Sequence, residues 1–353
     1  MLDLYDPTAD RYWADDHPVL ELIRSRRDAG TGPGDHDDGH RLGLAVEGGG
    51  VRGVVSAAML TALDDLGLRP VFDAIYSCSS GAVNAAFFTA GDTWYPLTIY
   101  FDDLSTKRFV DMRRFLTRRP VLNLDYVFDE VLETVKPLDY ENVLKTPASF
   151  QVAVTLVDEL ETAGVADFSS KADLKEGLRA SCWLPVAVPG AGRFRGRRAV
   201  DGGVLTAHPY ALALRDGCTH VLSLSTKPLR RPPTGPSAGR RLSAAYMERI
   251  RAGLGRGYLE SLERYRHQRR RLQERMLEPG EAPYVLDLAP LPWMAEVNRQ
   301  ETSLDKIMTG ARQSHSVMAA AIEGVPAAQV RDGRFASLPR FVTVQRSRAD
   351  RHG

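Results

Sequence analysis

Three short runs of small residues hold the side chains in this chain whose types and spacing could do chemistry together. Gly48-Gly49-Gly50-Val51-Arg52-Gly53 follows the apolar run Leu42-Gly43-Leu44-Ala45-Val46. Ser77-Cys78-Ser79-Ser80-Gly81 follows Ala74-Ile75-Tyr76, and Val200-Asp201-Gly202-Gly203-Val204 lies far downstream. Glycines let the backbone turn sharply and present N–H groups at a helix start, where the peptide dipoles also favour negative charge. Such N–H groups can hold the oxyanion of a tetrahedral intermediate, and loss of one such donor costs about 10²–10³-fold in rate. A serine between small residues on a tight strand-to-helix turn has its hydroxyl held out of the sheet. Ser79 is therefore the candidate nucleophile. A serine hydroxyl needs a neighbour to take its proton, and Asp201 is the candidate base.

The elements that must position these residues are legible around them. Val55, Ala58, Met59, Ala62, Leu63 and Leu66 recur at helical spacing after the glycine run, and Val83 to Ala90 reads as a second helix. The unit is strand, glycine loop, helix, strand, serine turn, helix: the βαβα start of a parallel sheet.

Taken together, the three runs resemble the patatin-like phospholipases, a family of lipid acyl hydrolases. The family's G-G-G-x-R-G is matched by Gly48 to Gly53, and its G-x-S-x-G by Ser79 and Gly81, with Ser77 where the pattern has glycine. Its D-G-[GA] is matched by Asp201, Gly202 and Gly203, and Ala180-Ser181-Cys182-Trp183-Leu184-Pro185 is similar to the A-S-x-x-x-P segment that precedes the aspartate. The likeness runs from about Arg41 to Thr226, and three motifs in order make it specific where one alone would be weak. It implies an α/β/α sandwich of three layers with a mostly parallel central sheet. It also implies a Ser79–Asp201 dyad without histidine, oxyanion donors at the backbone N–H groups of Gly49, Gly50 and Val51, and no metal or cofactor. The expected substrates are acyl lipids, phospholipids or lysophospholipids among them, cleaved through an acyl-serine intermediate; transfer of the acyl group to another alcohol shares that intermediate and stays open.

Composition sets the outer bounds. Of the residues, 43% are hydrophobic and 26% charged, ordinary for a chain with a sizeable core. A net charge of +1 gives no support to nucleic-acid binding. Three cysteines, Cys78, Cys182 and Cys218, are too sparse for a disulfide scaffold and favour a reducing compartment. The acidic start Met1-Leu2-Asp3-Leu4-Tyr5-Asp6 shows no secretory pattern. These features favour a cytoplasmic protein, with peripheral contact as its route to a membrane. Ala74 to Gly91 is uncharged and near the length of a membrane span, but its serines, Gly81 and Asn84 suit a buried strand-turn-helix better.

Along the chain, residues 1–40 read as an N-terminal extension and linker with a helix over Pro18–Ala29, and 41–230 as the catalytic core. Residues 231–326 read as a C-terminal helical part packed on that core, and 327–353 as a tail. His36 and His40 flank two aspartates at a spacing that fits no standard metal-ligand set. Thr93 to Leu144 is expected as helical cover for the sheet, Phe150 to Val157 as a central strand, and Arg193 to Arg198 as a hairpin delivering Asp201 to the site. That hairpin's four arginines suit solvent more than lipid phosphate. From Arg240 to Leu277, apolar residues at helical spacing face a crowd of arginines, which predicts a helix packed on the core more than one lying on an anionic membrane. Tyr284–Leu288 reads as a late strand and Leu304–Ile322 as a late helix.

Three rival readings remain beside the resemblance. Gly48, Gly50 and Gly53 also satisfy the G-x-G-x-x-G dinucleotide fingerprint, but Asp73 precedes the next strand, and Ser79 stands where an acidic residue is needed. His208 or His220 could serve a Ser-His-Asp arrangement. A member without activity could still bind lipid or act as a scaffold, although the presence of nucleophile, base and glycine loop favours an enzyme. Arg52, inside a tight loop, is expected to orient that loop, and Cys78 to be a small buried filler.

Overall fold

A computed structural model describes residues 4–111, 113–114, 120–230 and 235–337. Residues 1–3, four residues of the Pro- and Arg-rich loop (231–234) and the end of the expected tail (338–353) lie outside the described residues. The strands are β1 Leu42–Val46, β2 Ala74–Ser77, β3 Ser149–Leu156, β4 Glu161–Val165, β5 Gly192–Phe194, β6 Arg197–Asp201, β7 His220–Leu224 and β8 Tyr284–Leu288. The α-helices are α1 Pro18–Ala29, α2 Val54–Asp65, α3 Ser80–Ala90, α4 Trp94–Asp102, α5 Tyr140–Leu144, α6 Lys171–Ser181, α7 Tyr210–Arg215, α8 Ala238–Ile250, α9 Leu254–Arg275, α10 Leu304–Glu323 and α11 Ala327–Arg331.

All eight strands form one sheet in the order β5-β6-β3-β2-β1-β7-β8, with β4 paired to β3. The centre, β3-β2-β1-β7-β8, is parallel; β4, β5 and β6 join antiparallel. Every residue of β1, β2 and β7 is buried, as befits parallel strands covered on both faces. Leu42, Leu44 and Val46 of β1 pack in a core with residues of α2 and α10 on one side. Ala45, Tyr76, Val221 and Val285 pack with Leu212 of α7 and with Tyr265 and Leu272 of α9 on the other. Alternate residues of the strands thus feed two helical layers, and the fold is the expected three-layer α/β/α sandwich with a mostly parallel sheet. Each fully buried Leu or Val contributes about 1.5–3 kcal/mol.

Several elements differ from the sequence expectation in form. The single helix expected over Arg240–Leu277 is two, α8 and α9, because Gly253 takes a left-handed φ of 92° between them. The cover over Thr93–Leu144 is α4, loops, a π-helix at Tyr126–Val135 and α5 rather than continuous α-helix. The expected tail opens with α11, where Ala327, Ala328 and Val330 are buried. In the extension, Val19, Leu20 and Ile23 of α1 join the main core. Ala74–Gly91 folds as strand, turn and helix, and among the described residues no helix is long and apolar enough to cross a membrane.

Candidate active site

The glycine loop leaves the end of β1, and Ser79 leaves the neighbouring end of β2, so parallel pairing of these strands puts the two turns side by side. Ser79 sits at φ 55°, ψ −139°, directly before α3. A non-glycine residue with positive φ costs of order 1–3 kcal/mol and persists only where its surroundings hold it. Here they do. A Cβ on Gly48 would lie 2.7 Å from the Ser79 Cβ and 2.6 Å from the Cys78 carbonyl oxygen, and one on Gly81 would lie 2.6 Å from the Val46 carbonyl oxygen. Only two bare backbones can approach this closely. The Ser79 N–H donates to Ser181 Oγ at 2.9 Å. Ser77, where the family pattern has glycine, ends β2 fully buried and donates its hydroxyl to the Gln151 carbonyl at 2.9 Å. Its side chain is thereby tied to the neighbouring strand β3.

Asp201 ends β6, which β3 places beside β2. Its side chain is 4% exposed and lies close enough to Ser79 for that residue to favour its charged form. Oδ1 accepts the Gly203 N–H at 2.8 Å. Gly202 must be glycine because a Cβ there would meet the Ala153 carbonyl oxygen at 2.4 Å. Burial pushes the Asp201 carboxyl above the ordinary carboxylate range, against the opposing pull of Ser79, the Gly203 N–H and the Arg299 charge. The Asp201 N–H donates to the Trp183 carbonyl at 2.9 Å. The short segment Ser181–Trp183 therefore braces both Ser79 and Asp201. His208 is elsewhere: buried, its Nδ1 accepts the Tyr210 N–H at 3.3 Å, its Nε2 meets Ser225 Oγ at 3.2 Å, and it stacks on Tyr265. Burial lowers its pKa. His220, at the start of β7, packs against His40 and Tyr284.

The glycine loop proves more committed than its sequence suggests. Of the three N–H groups expected to face a substrate, that of Gly49 donates to Ser80 Oγ at 2.9 Å and that of Val51 to the Arg299 carbonyl at 3.0 Å. The Gly50 N–H has no acceptor among the described residues. Gly50 has φ 62°, and a Cβ there would lie 2.8 Å from the same Arg299 oxygen. Arg52 points away from the serine, its Nε donating to Thr226 Oγ1 at 3.2 Å. Thr226 in turn donates from Oγ1 to the Gly48 carbonyl at 2.8 Å and from its N–H to Glu47 at 2.7 Å. Glu47 is buried, which penalises its charge, yet Lys227, His208 and Arg52 together hold its carboxyl well below the ordinary range. This is a charged brace under the loop, and Arg52 is part of it through Thr226 and Glu47. Cys78 is buried, and burial pushes its thiol up to about 12, which suits a filler.

Beside Ser79 opens an apolar cleft of about 60 Å³. Gly50, Ser79 and Ser80 stand at its edge, and Val83, Ile99, Leu104, Phe109, Leu124, Val127, Phe128 and Leu132 form its walls. The last three lie on the π-helix. Asn84 and Tyr100 are its polar lining. Three of the four hairpin arginines are taken up by acids: Arg195 pairs with Asp173 and Asp167, Arg197 with Glu159, and Arg198 with Asp158. Sequence reasoning passed over Ser80, Asn84, Tyr100 and Arg299. Ser80 and Asn84 stood in plain view, one turn apart behind Ser79; Arg299 participates through its main chain, which no residue type announces.

Residues 44–214 match the family model for patatin-like phospholipases. The chain is similar to an uncharacterized protein of Escherichia coli (strain K12), YjjU, 25% identical over 191 residues that cover 53% of this chain and 52% of that one. It is 26% identical over 174 residues to the 1-acylglycerol-3-phosphate O-acyltransferase Pnpla3 of Mus musculus, covering 48% of this chain and 41% of that one. It is 29% identical over 199 residues to the omega-hydroxyceramide transacylase of Homo sapiens, covering 55% and 35%. The chain thus spans about half or less of the length of these curated relatives.

Proposed function

Because the chain belongs to the patatin-like phospholipase family through residues 44–214, we propose that it is a serine lipid acyl hydrolase working through an acyl-enzyme on Ser79. Asp201 takes the hydroxyl proton as Ser79 Oγ bonds to the ester carbonyl carbon. The resulting alkoxide is held by the Gly50 N–H, with the Val51 N–H joining when the Arg299 carbonyl gives way. As the tetrahedral intermediate collapses, the ester C–O bond breaks and the proton passes from Asp201 to the departing alcohol. Asp201 then takes a proton from water, which attacks the acyl-serine; the Oγ–acyl bond breaks, the proton passes from Asp201 to Ser79 Oγ, and the fatty acid leaves. The acyl chain lies in the apolar cleft. The acyltransferase and transacylase names of the two mammalian relatives agree with the same acyl-serine meeting an alcohol in place of water.

The observation that carries this reading is the convergence of the β2 and β6 ends, which brings the buried Asp201 carboxyl next to Ser79 at the edge of an apolar cleft. The carboxyl's raised pKa also suits a base, since a proton acceptor works best with a pKa nearer the operating pH. Phospholipids and lysophospholipids are the substrates the family membership favours, reached by peripheral contact with a membrane. The three thiols are free, which suits the cytoplasm. Labelling with a fluorescent fluorophosphonate tests the reading on the wild type, Ser79→Ala, Asp201→Asn and His208→Ala. We expect labelling lost in the first two variants and kept in the third. Loss in His208→Ala as well would restore a histidine base, and an unlabelled, folded wild type would leave a lipid-binding protein without this chemistry.

A further inference from the structure

The helix that begins at the nucleophile also grips the glycine loop at two points. Ser80 Oγ accepts the Gly49 N–H at 2.9 Å. One turn further along the same face of α3, Asn84 Nδ2 donates to the Gly53 carbonyl at 2.9 Å and to Ser56 Oγ at 3.2 Å. Ser56 Oγ reaches the Glu47 carbonyl at 3.0 Å and the Gly53 carbonyl at 3.1 Å. The loop from Glu47 to Gly53 is therefore tied at its start, middle and end, and the ties converge on α3. Asn84 is 4% exposed, so its hydrogen bonds are worth more than surface ones, and a lost partner leaves a buried polar group stranded at about 1–3 kcal/mol. Tyr100, 2% exposed, donates to Asn84 Oδ1 at 2.9 Å, and a Cβ on Gly53 would come within 2.5 Å of both the Tyr100 hydroxyl and Ser80 Oγ. Ser80, Asn84 and Tyr100 all line the apolar cleft.

We propose that Ser80 and Asn84 are positioning residues that clamp the oxyanion loop to the nucleophile's own helix, that Tyr100 joins this clamp to the acyl cleft, and that the Gly49 N–H is a structural tie and no oxyanion donor. The proposal rests on the acyl-serine reading for its effect on rate. Its physical content is that Ser79 and the Gly50 N–H move as one body. A tetrahedral intermediate needs both within a fraction of an ångström, and a displacement of about 1 Å costs about 10²-fold. Without the clamp the loop shifts relative to Ser79 while the cleft still receives its chain. A chain packed against Tyr100 presses on the clamp, so part of its binding energy is expressed in the rate instead of in the ground-state complex.

The test uses the full chain with a short-chain and a long-chain aryl ester, together with amide hydrogen exchange of the peptide spanning Val46–Val54. Ser80→Ala and Asn84→Ala should lower kcat about 10- to 100-fold on both esters, with KM within about twofold. Tyr100→Phe should slow the long-chain ester more than the short one. Exchange of the loop peptide should rise at least about 10-fold in Ser80→Ala and Asn84→Ala, including in a Ser79→Ala background where no acylation takes place. A merely structural role would lower the melting temperature and speed exchange throughout the chain, leaving kcat per folded molecule intact. The proposal is overturned if kcat is retained in Ser80→Ala and Asn84→Ala, if KM alone rises, or if loop exchange is unchanged. Should Asn84→Ala fail to fold, Ser80→Ala and Tyr100→Phe, each removing one oxygen, carry the test. Exchange is read without turnover, so an inactive wild type would refute the acyl-serine reading while the clamp is still judged by its own result.

Discussion

Ser79 looks in one direction at the glycine loop and in the other at the apolar cleft, and the two sides are made of different material. On the loop side the close contacts are between backbones: Gly48 on Cys78 and Ser79, Gly81 on Val46, Gly50 under the Arg299 carbonyl. On the cleft side they are side chains, with Val127, Phe128 and Leu132 presented by a π-helix. A π-helix's wider turn is rare and occurs often at functional sites. Where backbones touch, one added methyl has nowhere to go, so the chain path fixes the reaction geometry. Where side chains line a space, volume can change without moving Ser79. The proposed chemistry is thus written in glycines, and the choice of acyl chain in exchangeable apolar residues.

Four experiments bear on this contrast, and the largest effect sets its scale. Asp201→Asn leaves both sides standing and removes only the base, so turnover should fall about 10²- to 10⁴-fold. The same variant carries a stability signature. Burial raises the folded-state pKa of Asp201 above its unfolded value, so the carboxyl favours the fold at low pH, and that contribution is lost as pH rises through the folded pKa. Asparagine stays neutral; melting followed against pH should show the variant equal to wild type towards pH 4 and higher-melting near neutrality. A fall in its melting temperature near neutrality would contradict the sign.

The next largest effect attacks the backbone side. Gly48→Ala should cut esterase activity by about 10²-fold and lower the melting temperature, because neither Cys78 nor Ser79 can retreat without moving α3. On the cleft side, Phe128→Ala and Leu132→Trp should shift chain-length preference towards longer and shorter esters respectively. Turnover of the shortest ester should stay within about threefold, since the residues at issue touch only the chain. Equal losses on all esters in these variants would erase the distinction. Smallest of all, Arg195→Ala on the β5–β6 hairpin removes ion pairs at the surface and should cost under about 1 kcal/mol in denaturant unfolding, with turnover unchanged.

Legibility in the sequence follows the same division. Gly48–Gly53, Ser79 and Asp201 could be singled out because close backbone approach leaves few residue types admissible, and the βαβα order could be read because buried parallel strands are continuously apolar. The cleft wall was visible only as mixed helical cover, since aromatic and aliphatic residues line cores and clefts alike. The break at Gly253 hid inside an otherwise unbroken helical spacing. Ser181 lay within a noted segment, but its bond to the Ser79 N–H depends on α6 ending beside the turn, a tertiary fact. The partners of Gly49 and Val51 were beyond reach for the same reason: the sequence shows which N–H groups a loop exposes, and only the fold shows what already holds them.

The carbonyl of Arg299 resting on the Val51 N–H sets a threshold for any competitor at that donor. A neutral ester oxygen would exchange one neutral hydrogen bond for another. Such a bond is worth only about 0.5–1.5 kcal/mol net, so the trade is close to even and adds little to substrate affinity. An alkoxide changes the terms, because a charge-assisted hydrogen bond is roughly twice as strong. Under the proposed chemistry the resident carbonyl withholds the donor from resting substrate and releases it to developing charge. A length of chain more than two hundred residues from the glycine loop acts as an internal reference ligand, and only a species more basic than a peptide oxygen outbids it.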